Sequence, residues 1–195
     1  MTSEIRAFEY ALGLFAVLIG LAVVDVATSF HRLIHNKASV KWDPLTLLAA
    51  LYALCIAICM WFDLWGVRNF GATRHFLFYL SIVAELFLVF LIAASSLPDE
   101  AGPIDLRVYY ASNRRYFWFL VALFQLGYVG HGLYFVGDVL GRLPLATSVP
   151  LLAMMAAPLA IALVLLATKS RVVHYLALGL MFAVMLYHYA PMSIS

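Results

Sequence analysis

The chain has 195 residues, of which 66% are hydrophobic and only 11% are charged, and its formal net charge is +2. Soluble domains are roughly half apolar and a quarter charged, so this composition excludes a water-soluble monomer. The twelve Lys and Arg residues are scattered along the chain and form no dense patch of the kind that binds nucleic acid. We therefore predict a single transmembrane domain over residues 1–195, with the lipid bilayer and not nucleic acid as its partner.

Six apolar stretches follow one another along the chain, each about as long as the 20 or so helical residues that cross a bilayer core. Lipid gives the backbone no hydrogen-bond partners, and the sequence lacks the alternating pattern of a membrane β-strand, so each stretch is predicted to be a helix. The predicted fold class is all-α, an integral membrane bundle of six transmembrane helices. The predicted spans are residues 8–30, 44–66, 75–97, 116–139, 150–168 and 172–189.

Prolines and polar residues refine these boundaries. Pro44 and Pro150 are predicted to lie in the first turns of the second and fifth helices, where a missing N–H is harmless. Pro158 falls inside the fifth helix and predicts a kink there. The longest polar segment, residues 98–115, is predicted to be a cytoplasmic loop. The fifth span is almost featureless, so we expect it to face lipid or a second copy in a homo-oligomer.

The distribution of Lys and Arg predicts the orientation of the bundle. The loops after the first, third and fifth spans hold eight of these residues, and the opposite side holds four. Cytoplasmic loops carry an excess of Lys and Arg, so we place the odd-numbered loops in the cytoplasm and both termini outside. The eight are Arg32, Lys37, Lys41, Arg107, Arg114, Arg115, Lys169 and Arg171, and the four are Arg6, Arg68, Arg74 and Arg142.

Ionisable side chains inside the spans are costly to bury and usually have a partner or a function. Glu85 lies close to the predicted midplane, Gln125 lies at a similar depth in the fourth span, and His131 lies about 1.5 turns further out. We predict that these three side chains form a cluster that relays a proton or binds a cation. The alternative is that they only hold two helices together. The ionisable residues predicted within spans are Asp25, Asp63, Glu85, His131, Asp138 and His188.

Asp25 lies in the cytoplasmic half of the first span, with Ser29 four residues and Arg32 seven residues further along the same helix face. The favoured interpretation is a structural clasp in which the carboxylate accepts from the hydroxyl and pairs with the guanidinium. The alternative is that Asp25 adds a further polar step to the ion path.

Histidine and cysteine positions were considered as metal or haem ligands. His31 and His35 have the i, i+4 spacing of a metal pair, with His174 as the natural third ligand, although interfacial histidines often have this spacing without a metal. His131 and His188 could hold a haem, but their predicted depths differ by about 9 Å. We therefore predict no cofactor and no metal.

Cys55 and Cys59 lie one turn apart in the second span. Residues at this spacing lie on one helix face, too far apart to form a good disulfide, so we interpret them as small buried hydrophobic residues. The alternative is a thiolate metal site, whose further ligands the sequence does not identify.

Several short motifs lie at one predicted face, around the first and third loops. They comprise residues 30–33 (FHRL), 40–45 (VKWDPL), 97–100 (LPDE), 105–107 (DLR), 109–110 (YY) and 113–115 (NRR). Over roughly the first 120 residues, these motifs resemble a widespread group of uncharacterised bacterial multi-pass membrane proteins. The resemblance implies a bacterial inner membrane and shared motifs on the cytoplasmic surface, and it implies no known activity.

Three functions are compatible with these patterns. The leading hypothesis is a channel-like or transporter-like protein for protons or small cations, with the first and third loops as its cytoplasmic mouth. The second is a non-catalytic accessory or sensor subunit that binds a partner or lipid headgroups through basic cytoplasmic residues. The third is a haem-binding or other membrane enzyme. The basic residues of the second hypothesis are Lys37, Lys41, Arg107, Arg114 and Arg115.

Overall fold

The computed structural model describes residues 2–67, 76–99, 103–140 and 144–190. Most of these residues belong to six helices: α1 (Thr2–His35), α2 (Pro44–Val67), α3 (Phe76–Ser96), α4 (Leu106–Leu140), α5 (Leu145–Ala167) and α6 (Arg171–Tyr189). Two short strands, β1 (Val40–Lys41) and β2 (Ile104–Asp105), lie just before α2 and α4. Within the described ranges, six helices are long and apolar enough to cross a membrane. The predicted all-α bundle of six membrane-spanning helices is therefore confirmed.

Two boundaries differ from the prediction. α4 begins at Leu106 instead of residue 116, so the second half of the predicted loop 98–115 is helical. The helix starts there because Oδ1 of Asp105 accepts hydrogen bonds from the backbone N–H groups of Arg107 and Val108, at 3.1 and 3.2 Å. α5 begins at Leu145, so Pro150 lies inside this helix and not in its first turn.

The starts of α2 and α4 lie side by side because β1 and β2 pair in parallel, with Val40 opposite Ile104. Lys41 is opposite Asp105, and its ammonium lies 3.6 Å from the Asp105 carboxylate. The backbone N–H of Val108, with Lys41 close by, lowers the pKa of Asp105 below its ordinary value. We call this end of the bundle the strand end, and the end where α2 finishes and α3 begins the opposite end.

The main helix contacts close a ring in the order α1, α3, α4, α5, α6 and α2. α2 also contacts α3 and α4, and its span has the largest buried share of the six, so it is the most central helix. Tyr52 of α2 marks the core, where its ring packs edge-on against Phe182 of α6 and at a tilt against Trp118 of α4, with centroid distances of 5.8 and 6.2 Å. The interior between α2, α4 and α6 is where most of the polar side chains described below lie.

Candidate functional site

A buried acid–histidine pair joins α3 to α4. Nδ1 of His131 lies 2.9 Å from Oε1 of Glu85, and Nε2 of His131 lies 2.8 Å from the hydroxyl of Ser81. Ser81 and Glu85 lie one turn apart on α3, and Gly127 and His131 lie one turn apart on α4. His131 contacts both α3 residues, and Glu85 also lies against Gly127. Glu85 is only 5% exposed, and its Oε1 has no aligned hydrogen bond to any described residue. The structure thus brings Glu85 and His131 together, at ion-pair distance.

The hydrogen-bond partners of Ser81 favour a proton on one ring nitrogen of His131, Nε2. The Ser81 hydroxyl lies 2.8 Å from the carbonyl oxygen of Phe78 and 2.8 Å from Nε2 of His131, and it has one hydrogen to donate. A carbonyl only accepts, so both contacts are satisfied when Ser81 donates to Phe78 and Nε2–H donates to Ser81. A nucleophilic serine needs an unprotonated nitrogen at that position. The arrangement therefore does not fit a hydrolytic triad, and it leaves Nδ1 of His131 facing Oε1 of Glu85 at ion-pair distance.

A second carboxylate lies near this pair, towards the opposite end of α2. The hydroxyl of Tyr189 donates a 2.6 Å hydrogen bond to Oδ2 of Asp63, and the hydroxyl of Tyr128 also bonds to this carboxylate. His188 and, more weakly, Glu85 are within electrostatic range of Asp63. Side chains from α2, α4 and α6 thus meet at Asp63, and the Glu85–His131 pair of α3 and α4 lies beyond direct contact with them.

A cavity of about 120 Å³ adjoins this cluster between α2, α4, α5 and α6. One water needs roughly 10–15 Å³ on this measure, so the cavity has room for several waters. Most of its wall is apolar and is rich in methionine. The polar side chains that line it are Tyr52, Asp63, Gln125, Tyr128, His188 and Tyr189.

The structure corrects the prediction that Gln125 joins Glu85 and His131. The amide nitrogen of Gln125 lies 3.4 Å from the Tyr52 hydroxyl, and both side chains are buried. Successive helical residues are rotated by about 100°, so positions 125 and 131 of α4 point about 120° apart. Gln125 therefore belongs to the α2–α4 interface, while His131 belongs to the α3–α4 interface.

A hydrogen-bonded chain surrounds His174 near the strand end. The indole N–H of Trp118 donates to the Tyr110 hydroxyl at 3.0 Å, and this hydroxyl lies 2.6 Å from Nδ1 of His174. Nε2 of His174 lies 3.2 Å from the carbonyl oxygen of Thr168, to which Arg114 also donates. All contacts are satisfied by a neutral ring protonated at Nε2. His174 therefore has no nitrogen left for the predicted third position of a metal site.

Arg114 is likewise not part of the exposed basic surface that the sequence predicts. It is 7% exposed, and its guanidinium bonds to the turn between α5 and α6. Arg107, Arg115, Lys37 and Lys41 are exposed, as that prediction requires. The reason for the difference is that residues 106–115 are helical, so Arg114 lies two turns further along α4 than Arg107, where its guanidinium reaches the carbonyl oxygen of Thr168.

The predicted clasp of Asp25 with Ser29 and Arg32 is wrong. The Ser29 hydroxyl donates to Oδ1 of Asp99 at 2.7 Å, and Arg32 forms an ion pair with the same carboxylate at 3.3 Å. Asp99 follows α3, so these bonds tie the end of α3 to α1. Oδ2 of Asp25 is buried without a hydrogen-bond partner among the described residues. Asp25 lies near Asp99 and Arg32 in the strand-end half, away from the Glu85 cluster.

Neither the His31–His35 pair nor the His131–His188 pair has the geometry of the metal or haem site that its sequence positions allow. His31 and His35 are exposed, with ring centroids 6.3 Å apart. No group of three His, Cys, Asp or Glu side chains in the described ranges could hold a metal ion. Both nitrogens of His131 have protein partners, so its arrangement does not fit a haem ligand shared with His188. The side chain of Asp138 lies outside the described residues.

Sequence reasoning missed Ser81, the tyrosines around Asp63 and the methionines of the cavity. Ser81 could have been found from its spacing, since it lies one turn from Glu85 on the same face of α3. The bond between Tyr189 and Asp63 could not be found in this way, because Asp63 lies 126 positions earlier in the chain and no local pattern connects the two residues.

Comparison of the chain with protein-family models, curated proteins and solved structures finds no match. The resemblance of its motifs to bacterial membrane proteins therefore stays a prediction. Within the structure, these motifs contact one another or neighbouring helices at the strand end. Asp99 binds Arg32, Asp43 binds Arg171 at 2.5 Å, and Asn113 binds the carbonyl oxygen of Ser95.

Proposed function

We propose that this membrane protein translocates protons, with Glu85 and His131 as the pair that takes up and releases them. The supporting observation is the contact between Nδ1 of His131 and Oε1 of Glu85, which is buried between two helices. Because Nε2 is already assigned a proton by Ser81, the pair can hold its shared proton on either partner without changing its net charge. Such a pair can exist in apolar surroundings and still exchange a proton with a neighbour.

Access from the opposite end is supported by Asp63 and the adjoining cavity. Glu85 is within electrostatic range of Asp63, and the cavity beside Asp63 is large enough for several waters. A carboxylate next to water is a group that can pass a proton onward to the Glu85–His131 pair. His188 and Tyr189 lie at the end of α6 and complete the polar surroundings of this step.

Polar groups enclosed by α2, α4 and α6 continue towards the strand end. Gln125 contacts Tyr52, and further along the bundle Trp118, Tyr110 and His174 form the hydrogen-bonded chain described above. From Asp43 to Asp63 the helical rise is about 30 Å, which is the thickness of a bilayer core. The ring of Trp118 separates Tyr52 from Tyr110, so conduction in this proposal requires the indole to move or a water to enter beside it.

The test is proton flux into liposomes that contain the purified protein, followed with an internal pH-sensitive dye under an imposed membrane potential. We expect Glu85→Gln to abolish the flux, because an amide keeps the size of the carboxyl group but does not exchange protons. The matched control is Asp25→Asn, which changes a partly buried acid of α1, outside the cluster, and should leave the flux unchanged.

Two results would contradict the proposal. One is native protein that is monodisperse in detergent but gives no flux above that of empty liposomes. The other is a Glu85→Gln variant that conducts as the native protein does. Thermal unfolding of each variant in detergent shows whether a lost flux reflects a lost fold.

A further inference from the structure

Methionine is concentrated around the cavity beside Asp63. Five of the seven methionines in the chain line it, and they come from three helices. Met60 lies on α2, Met154 and Met155 on α5, and Met181 and Met185 on α6. The thiol of Cys59 and the imidazole of His188 belong to the same wall.

From this wall we propose that the cavity is a binding site for a soft monovalent cation, Cu(I), held by methionine thioethers. Thioether, thiolate and imidazole are the ligands that favour Cu(I), whereas Mg²⁺, Ca²⁺ and Mn²⁺ favour carboxylate, carbonyl and water oxygens. Thioethers are neutral, so a cation among them needs a counter-charge in apolar surroundings. Asp63, on the same wall, supplies that charge.

The packing of these methionines favours a site over simple gap filling. Methionine commonly fills irregular gaps in a core, and in that role it closes the available space. Here the five side chains surround an open volume of about 120 Å³.

The proposal uses the same cavity and the same Asp63 as the proposed proton path, but it does not depend on proton translocation, because cation binding is measured without flux and requires the sulfur atoms, which the proton path does not. A protein that binds Cu(I) and conducts no protons would support this inference alone. A protein that conducts protons and binds no soft cation would support the proposed function alone. The two failures are therefore distinguishable.

The first probe is Ag(I), which has the ligand preference of Cu(I) and does not change oxidation state in air. Purified protein in detergent is dialysed against Ag(I) in chloride-free buffer, and bound silver is measured by mass spectrometry of the metal. We expect one tightly bound ion per chain. Cu(I) is then measured without oxygen, in competition with a chromogenic Cu(I) chelator, and should show the same stoichiometry.

The decisive variants separate thioether binding from binding by thiols. In a Cys55→Ala, Cys59→Ala background we expect silver to remain bound, and adding Met181→Leu and Met185→Leu should weaken its affinity at least tenfold. Leucine is close to methionine in volume, so the fold should survive, which thermal unfolding checks. As single changes, Cys59→Ala should weaken binding, while Cys55→Ala, one turn away and outside the cavity wall, should not.

Two outcomes would overturn the site. If the native protein binds no silver, or if the methionine substitutions leave its affinity unchanged while only the cysteines matter, the methionines are packing residues and the inference fails.

Discussion

At the scale of single residues, the candidate site depends on a glycine, Gly127, which leaves room for the carboxylate of Glu85. A Cβ at Gly127 would lie 2.5 Å from Oε1 of Glu85, the atom that faces His131. Gly130, three residues later on the same helix, has no heavy atom within 4 Å of the corresponding position. A side chain larger than hydrogen would therefore collide with Glu85 at position 127 but not at position 130. This difference cannot be seen in the sequence.

We predict that Gly127→Ala disrupts the pair and that Gly130→Ala does not. Overpacking a well-packed contact costs about 1–3 kcal/mol, and the added methyl group would push the carboxylate of Glu85 away from Nδ1 of His131. The measurement is thermal unfolding in detergent together with liposome flux. Gly127→Ala should lower both the unfolding temperature and the flux. Equal behaviour of the two variants would show that the glycine does not hold the pair in place.

Part of this site could be predicted from the sequence. Glu85 and His131 stand out because ionisable groups are rare in apolar spans, and depth alone places them near each other. Gln125 was assigned to the same cluster because depth does not describe rotation about the helix axis. The partner of Ser29 and Arg32 is Asp99, at the far end of a different helix, and no local pattern indicates that pairing.

At the scale of the elements, capping aspartates organise the strand end. Oδ2 of Asp43 accepts from the backbone N–H of Thr46 at 3.2 Å, which caps α2, while Oδ1 binds Arg171 at the start of α6. The hydroxyl of Thr46 lies 2.9 Å from Oδ2 of Asp43 and 2.8 Å from the carbonyl oxygen of Leu106, so its single hydrogen can be donated to either oxygen. One buried turn thus links the first residues of α2, α4 and α6.

We therefore predict a large effect from Asp43→Ala and a small one from Arg32→Ala. Removing one member of a buried ion pair costs roughly 3–5 kcal/mol, and we expect about 3 kcal/mol because Arg171 keeps 32% of its side chain exposed. The pair of Arg32 and Asp99 is about half exposed on both sides, so its loss should cost about 1 kcal/mol or less. The free energy of unfolding, from denaturant titration in mixed micelles, decides between them. Comparable losses would mean that the Asp43 turn has no special role.

The six helices were predictable because each has an apolar stretch of bilayer length, bounded by polar residues. The early start of α4 was not predictable, because residues 106–115 are as polar as a typical loop. They are helical because Asp105 caps them, and the strand pairing with Lys41 positions Asp105. This helix of 35 residues is about 52 Å long, so it extends beyond a bilayer core of about 30 Å.

At the scale of the whole molecule, the ring of helices has a mostly apolar interior that encloses polar side chains between α2, α4 and α6. α2 contributes to both ends of that interior, with Asp43 at the strand end and Asp63 near the opposite end. α5 and α6 have the smallest buried shares of the six spans, so most of their surface is available to lipid. The distribution of positive charge predicts which end of the bundle lies on the cytoplasmic side.

We predict that the strand end faces the cytoplasm. Eight of the twelve Lys and Arg residues lie in the loops of that end or in the helix ends beside them, and a membrane face rich in such residues is retained on the cytoplasmic side. One labelling position is chosen for each end. Lys169, whose side chain is exposed between α5 and α6, reports on the strand end, and Arg74, which lies between α2 and α3 in the sequence, reports on the opposite end. Each is replaced by cysteine, as Lys169→Cys or Arg74→Cys, after both native cysteines have been changed to serine.

Intact spheroplasts of a bacterial host are then treated with a maleimide that cannot cross the membrane. Arg74→Cys should be labelled at once, and Lys169→Cys only after the membrane is permeabilised, because its thiol would lie on the cytoplasmic side. The reverse pattern would invert the bundle. The cavity beside Asp63 would then lie on the cytoplasmic side, and protons in the proposed path would reach Glu85 from inside the cell.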